Sequence, residues 1–178
     1  MDDRRLFVLR HAKSSWKHSG LSDHERPLSG RGHDALPRLR RALEERAPAI
    51  EVVLCSSAVR TVATLEGVRA ALPERVQVTV DAELYGAGGQ SWLERCRSVG
   101  DDVAGVLVIG HNPGIGMLAN MLVRIPPKHH RFSDYPTCTT TVIDFDGESW
   151  MQAKARTGYC KAFVVPRDLI GTSAQDIE

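Results

Sequence analysis

Leu6-Phe7-Val8-Leu9-Arg10-His11 is the stretch on which the reading of this chain turns. A short, unbroken apolar run so close to the N-terminus reads as a buried first strand. An arginine and a histidine come directly after it. In an open α/β sheet, ligands sit at the carboxyl ends of the strands. The run therefore delivers a fixed cation and a potential nucleophile together to the rim where chemistry is expected.

Outward from that point, three more strand ends carry reactive side chains. Glu51-Val52-Val53-Leu54-Cys55 reads as a strand that ends in Ser56-Ser57-Ala58-Val59-Arg60 and enters a helical pattern of Val62, Leu65, Val68, Ala71 and Leu72. Arg60 is expected in the first turn of that helix, where free N–H groups and the helix dipole favour anions and the guanidinium adds a bidentate fork. Gly105-Val106-Leu107-Val108-Ile109 ends in Gly110-His111-Asn112-Pro113-Gly114, ahead of a helical Ile115, Leu118, Met121 and Leu122. Val76 to Val80 alternates as a strand does, and Glu83 falls just past it. The four ends supply two arginines, two histidines and a glutamate, with no metal-ligand spacing among them. That set suits phosphoryl transfer: arginines neutralise phosphate oxygens, one imidazole attacks, the other donates hydrogen bonds, and a carboxyl can protonate the leaving group.

The pattern predicts strands at 4–10, 51–56, 76–80 and 104–109, and helices near 30–46, 58–72, 89–99 and 114–123. Ser29 is the expected cap of the first helix, and Pro37 predicts a kink or a later start. In the last third, Thr137 to Phe145 and Trp150 to Thr157 are β-type runs around Asp146-Gly147, a hairpin signal. Residues 160–165 read as a further short strand or extended segment. The fold class is α/β, with a mixed, mostly parallel sheet covered by helices. One domain is expected over 1–166, with a polar, mobile tail at 167–178.

The residues also resemble a known family. Leu9-Arg10-His11-Ala12-Lys13-Ser14-Ser15-Trp16, Arg26-Pro27-Leu28-Ser29-Gly30-Arg31-Gly32, Cys55-Ser56-Ser57-Ala58-Val59-Arg60-Thr61, Glu83-Leu84-Tyr85 and Gly110-His111-Asn112-Pro113-Gly114 are similar, in order and spacing, to motifs of the histidine phosphatase superfamily. More narrowly, they resemble its SixA-type phosphohistidine phosphatases. The resemblance implies a phosphoglycerate mutase-like three-layer α/β/α sandwich and a metal-independent phosphatase without cofactor. It implies that His11 carries phosphate as the nucleophile and that Arg10, Arg60 and His111 complete the phosphate pocket. Glu83 matches the position where many members hold a general acid. Ala12 stands where the superfamily usually has glycine.

Lys13, Ser14 and Ser15, directly after the nucleophile, and Ser57 beside Arg60 are expected to contact phosphate or substrate, while Trp16 is expected to pack the loop. His11 must attack as neutral imidazole. Arg10 and Arg60 should lower its pKa, and a backbone carbonyl should fix its tautomer. A phosphohistidine substrate leaves as imidazole, which protonates readily, whereas an alkoxide needs a strong acid. There is no room between the third and fourth strands for a capping domain, so an open pocket is expected, one able to admit phosphate displayed on a protein. The substrate is either a phosphohistidine protein or a small phosphomonoester. The alternative class is a silent phosphate-recognition module, against which a retained nucleophile argues. Missing lid material argues against mutase activity.

Other motifs are set aside. Cys55 to Arg60 spaces C-x4-R, one residue short of a cysteine-phosphatase cradle. Asp144-Phe145-Asp146-Gly147 lacks the subsequent hydroxyl residue that an aspartyl-nucleophile motif requires. Adjacent His129-His130 has no surrounding ligand cluster, and His18, His24 and His33 read as solvent-facing. The 178 residues carry 23 Lys+Arg against 22 Asp+Glu, a formal net charge of +1. That balance argues against a dedicated nucleic-acid or membrane surface. Four cysteines without a CxxC pair, and an N-terminus without signal-peptide character, give a cytoplasmic expectation. The chain is expected to act as a monomer on its phosphate-bearing substrate.

Overall fold

The computed structural model describes residues 3–166; the expected mobile tail lies outside the described residues. The chain alternates strand and helix through β1 (Arg4–Arg10), α1 (Gly30–Glu44), β2 (Val52–Ser56), α2 (Val59–Val68), β3 (Gln77–Asp81), α3 (Gly89–Arg97), β4 (Gly105–Gly110) and α4 (Gly114–Leu122), then closes with β5 (Thr140–Phe145) and β6 (Tyr159–Val164). The sheet order is β3-β2-β4-β1-β5-β6. β3, β2, β4 and β1 run parallel, and β5 is antiparallel to both β1 and β6. The fold is thus an α/β sandwich on a mixed, mostly parallel sheet.

The two-residue period of the strands explains the three layers. Leu6 and Val8 of β1 join Val52, Leu54, Val106 and Val108 in one core, covered by Trp92, Leu93 and Cys96 of α3 and Ile115 and Leu118 of α4. Their neighbours Phe7 and Leu9 join Val53, Cys55, Leu107 and Ile109 in the opposite core, under Leu36, Leu39 and Leu43 of α1 and Leu65 and Val68 of α2. Because the central strands are covered on both faces, they read as continuous apolar runs. β3 is an edge strand, which leaves Val78 and Val80 exposed.

The secondary structure departs from the sequence expectations at Pro37 and after Gly147. The later start suggested by Pro37 is not seen. Ser29 accepts the Gly32 N–H at 3.1 Å, and α1 runs from Gly30 through Pro37, held by its buried leucines. The hairpin partner of β5 is Tyr159–Val164 and not Trp150 to Thr157. After Gly147 the chain makes a single 3-10 turn at Trp150–Gln152, capped by Ser149, and the fully buried Trp150 donates its indole N–H to the Val103 carbonyl at 2.7 Å. Core burial of that indole outweighs the local β preference of the segment.

Candidate active site

Strand register brings the two histidines together. Arg10 of β1 lies opposite Gly110 of β4, so His11 and His111 leave adjacent strands at the same level. The His11 N–H donates to the Gly110 carbonyl at 3.1 Å, and the imidazole centroids are 5.0 Å apart. On the other side of β4, Cys55 of β2 pairs with Ile109, which puts Ser56 beside His111. Ser56 Oγ and His111 Nε2 are 2.8 Å apart. His111 Nδ1 is buried and has no hydrogen-bond partner among the described residues.

His11 Nδ1 lies 2.7 Å from the Ala12 carbonyl, which can only accept, so Nδ1 carries the proton and Nε2 keeps its lone pair. Arg60, the second residue of α2, directs its Nε at His11 Nε2 from 3.4 Å. His11 is held neutral, its pKa lowered to about 3, first by burial and then by the charges of His111, Arg60 and Arg10. The cations expected to lower it therefore contribute less than desolvation does. His111 is lowered to about 4 by burial and by Arg60. Arg10 donates through Nη1 to the Tyr135 carbonyl at 2.8 Å, while its Nε is buried without a partner.

The remaining predicted residues are scattered around this centre. Lys13 is exposed. Ser14 Oγ accepts from Arg26 Nη2 at 2.6 Å, and Ser15 supplies its carbonyl to Arg26 Nε at 2.9 Å. Ser57 Oγ sits 2.8 Å from His24 Nε2. Glu83 lies on a short turn after β3, exposed, and its carboxylate makes no hydrogen bond or ion pair among the described residues. His24, expected in solvent, is half-buried against Ser57 and the Tyr85 ring. Trp16, expected to pack the loop, is 77% exposed and carries the Arg26 guanidinium 3.2 Å above its ring.

The structure adds a residue that sequence reasoning missed. Asp23 accepts from Arg60 Nη2 at 2.9 Å, from Arg26 Nη1 at 2.7 Å and from the Tyr85 hydroxyl at 2.7 Å, and its carbonyl accepts from Arg60 Nη1. The Tyr85 hydrogen bond, and after it the two arginines, keeps this carboxylate far below its ordinary pKa. The Asp23-His24-Glu25-Arg26 spacing is a local signal for the Arg26 pair, but nothing local points to Arg60 or Tyr85. The three central side chains are recessed: His11, Arg60 and His111 are 6%, 5% and 8% exposed.

Comparison with known proteins identifies the class. Residues 6–92 match the model of the histidine phosphatase superfamily (branch 1). An uncharacterised protein of Mycobacterium tuberculosis is 34% identical over 164 residues, spanning 89% of this chain and all of that protein. The chain belongs to the histidine phosphatase superfamily and is a phosphatase that acts through a histidine.

Within the superfamily, it is most informatively compared with SixA proteins. A Nakamurella multipartitia protein assigned as the phosphohistidine phosphatase SixA superposes with a TM-score of 0.77 at 30% identity, over 93% of this chain and 98% of that one. The protein histidine phosphatase SixA complexed with tungstate superposes with a TM-score of 0.73 at 27% identity, over 93% of this chain and 99% of that one. The fold is therefore the phosphoglycerate mutase-like α/β fold of these neighbours. Among the described residues, no helix is long and apolar enough to cross a membrane.

Proposed function

We propose that this protein hydrolyses phosphohistidine, foremost on proteins, through a covalent phosphohistidine at His11. The observation that carries the reading is the fixed tautomer: a buried imidazole whose Nδ1 is spent on the Ala12 carbonyl and whose Nε2 lone pair faces Arg60. The SixA neighbours, both named as histidine phosphatases, support the substrate class.

In the first step, His11 Nε2 attacks phosphorus. The new P–N bond forms as the bond to the substrate imidazole breaks, and the departing nitrogen keeps the electron pair and takes a proton from solvent. Arg10 and Arg60 hold the equatorial oxygens as charge shifts among them. In the tautomer where Ser56 Oγ donates to Nε2, neutral His111 presents an Nδ1–H with no other partner to a phosphate oxygen. In the second step, water attacks phosphorus, the P–N bond breaks, inorganic phosphate leaves and Nε2 regains its lone pair.

An exposed Glu83 whose carboxylate has no partner among the described residues fits a leaving group that needs no strong acid. Phosphate release from a phosphohistidine protein and from a chromogenic phosphomonoester, for the wild type and His11→Ala, tests the reading. It is supported if His11→Ala loses both activities and the wild type favours the phosphohistidine donor. Equal turnover by the variant would overturn it.

A further inference from the structure

Beside the candidate active site lies a second, separate concentration of positive charge. A cavity of about 230 Å³ is bordered by Lys13, Arg31, Arg38 and Arg131, with Asp34 as its single acidic residue and Cys138 in its wall. In a chain whose formal net charge is only +1, four cations and one carboxylate around one cavity are a strong local bias. Arg131 is paired with Asp134 at 2.8 Å. Lys13, Arg31 and Arg38 have no carboxylate partner among the described residues, although the chain pairs many of its other arginines. Arg31, Asp34 and Arg38 fall at i, i+3 and i+7, one stripe of α1, so the helix presents all three to the same side.

The cavity is tied to the nucleophile by backbone on two sides. Cys138 N–H donates to the carbonyls of both Arg10 and His11, each at 3.1 Å. Lys13 is two residues past His11, a span of about 7 Å at most, and its carbonyl accepts the Ser29 N–H at 2.8 Å at the head of α1. A group bound in the cavity is thus held at a set position relative to a phosphate at His11.

We infer that this cavity binds a second anionic group of the substrate, a phosphate or carboxylate next to the phosphate being transferred. This rests on the proposed phosphatase reading and sharpens it. The site selects substrates whose scaffold carries two anions. Two sources have that chemistry: a phosphohistidine flanked by acidic residues, and a small bisphosphate. The rim cations are exposed, so each contributes modestly and is screened by salt.

The experiment uses the full chain and matched substrate pairs. One pair is phosphohistidine peptides differing only in flanking Glu or Gln; the other is fructose 1,6-bisphosphate against fructose 6-phosphate. The readout is the kcat/KM ratio within each pair, for the wild type, for Arg31→Gln/Arg38→Gln and for Asp34→Asn. A wild-type ratio of about five- to tenfold in favour of the doubly anionic member is expected. It should be carried by KM, fall toward one in the double variant, rise in Asp34→Asn and shrink with salt. The pair that shows it names the source. Ratios near one for both pairs in the wild type, or a preference that survives the double variant, would overturn the cavity assignment. Continued phosphate release through His11 would then leave the phosphatase reading intact. Loss of all turnover in the wild type would sink both.

Discussion

The rim of the site is built in two different ways. His11 and His111 stand on the ends of neighbouring parallel strands, at a level set by the Arg10–Gly110 register, and backbone hydrogen bonds hold them. Arg60 is instead oriented by Asp23, an exposed loop residue that contributes through ion pairs and the Tyr85 hydroxyl. Strand-borne groups are placed by the whole sheet and resist local change. A loop-borne carboxylate places one guanidinium and can be removed without touching the core. The placement of the proposed nucleophile is therefore a property of the fold, whereas the aim of the arginine is adjustable.

The largest expected effect, short of removing the nucleophile, is at Arg60 itself. Arg60→Ala should lower kcat/KM by about 10²–10³-fold, the scale for losing one preorganised donor to a transition-state oxyanion. Steady-state kinetics with a phosphohistidine peptide measure it. A change under threefold would mean that Arg10 and His111 carry the charge alone.

Asp23→Asn should cost less, about tenfold in kcat/KM, because Arg60 keeps its charge and loses only its aim. Thermal unfolding should shift little, since the Asp23 side chain is 51% exposed. Asp23→Ala with an equally large loss of stability would place Asp23 in the structural frame and erase the contrast between strand-borne and loop-borne groups.

Glu83→Gln separates leaving groups. Hydrolysis of phosphohistidine should stay within about twofold, while an alkyl phosphate should slow by about 10²-fold if Glu83 supplies its proton. Equal loss on both substrates would remove the leaving-group argument.

The last effect bears on folding and not on catalysis: stability against pH. Burial lowers His11 to about 3 and His111 to about 4, against an ordinary 6.5. Between those values the unfolded chain binds protons that the folded chain refuses, so stability falls as pH falls from about 6.5 toward 4. Urea unfolding at pH 7 and pH 5 should show that loss, and His11→Asn/His111→Asn should flatten it. A slope unchanged in the double variant would show that other groups dominate.

The same contrast governs how far the sequence could be read. Unbroken apolar runs such as Leu6–Leu9 and Val106–Ile109 announce buried parallel strands, and the residues just past each run sit at the rim, so Arg10, His11 and His111 were legible. Arg60 was legible from its place at the head of α2. Strand order was not, and it is β4 inserting between β1 and β2 that makes His111 the neighbour of both His11 and Ser56. Asp23 was invisible because its partners Arg60 and Tyr85 lie 37 and 62 residues away, and no local period records such a pairing. Trp150 to Thr157 misled because its β-type composition serves a buried indole and a connecting turn, with the return strand one segment later.

The most direct test of the account is mass spectrometry of the protein quenched within milliseconds of mixing with a phosphohistidine peptide, under alkaline conditions that preserve phosphoramidate. The account predicts an acid-labile phosphate on His11 that appears and decays with turnover and is absent in His11→Ala. Turnover with no label on His11, or with label on His111 instead, would contradict it.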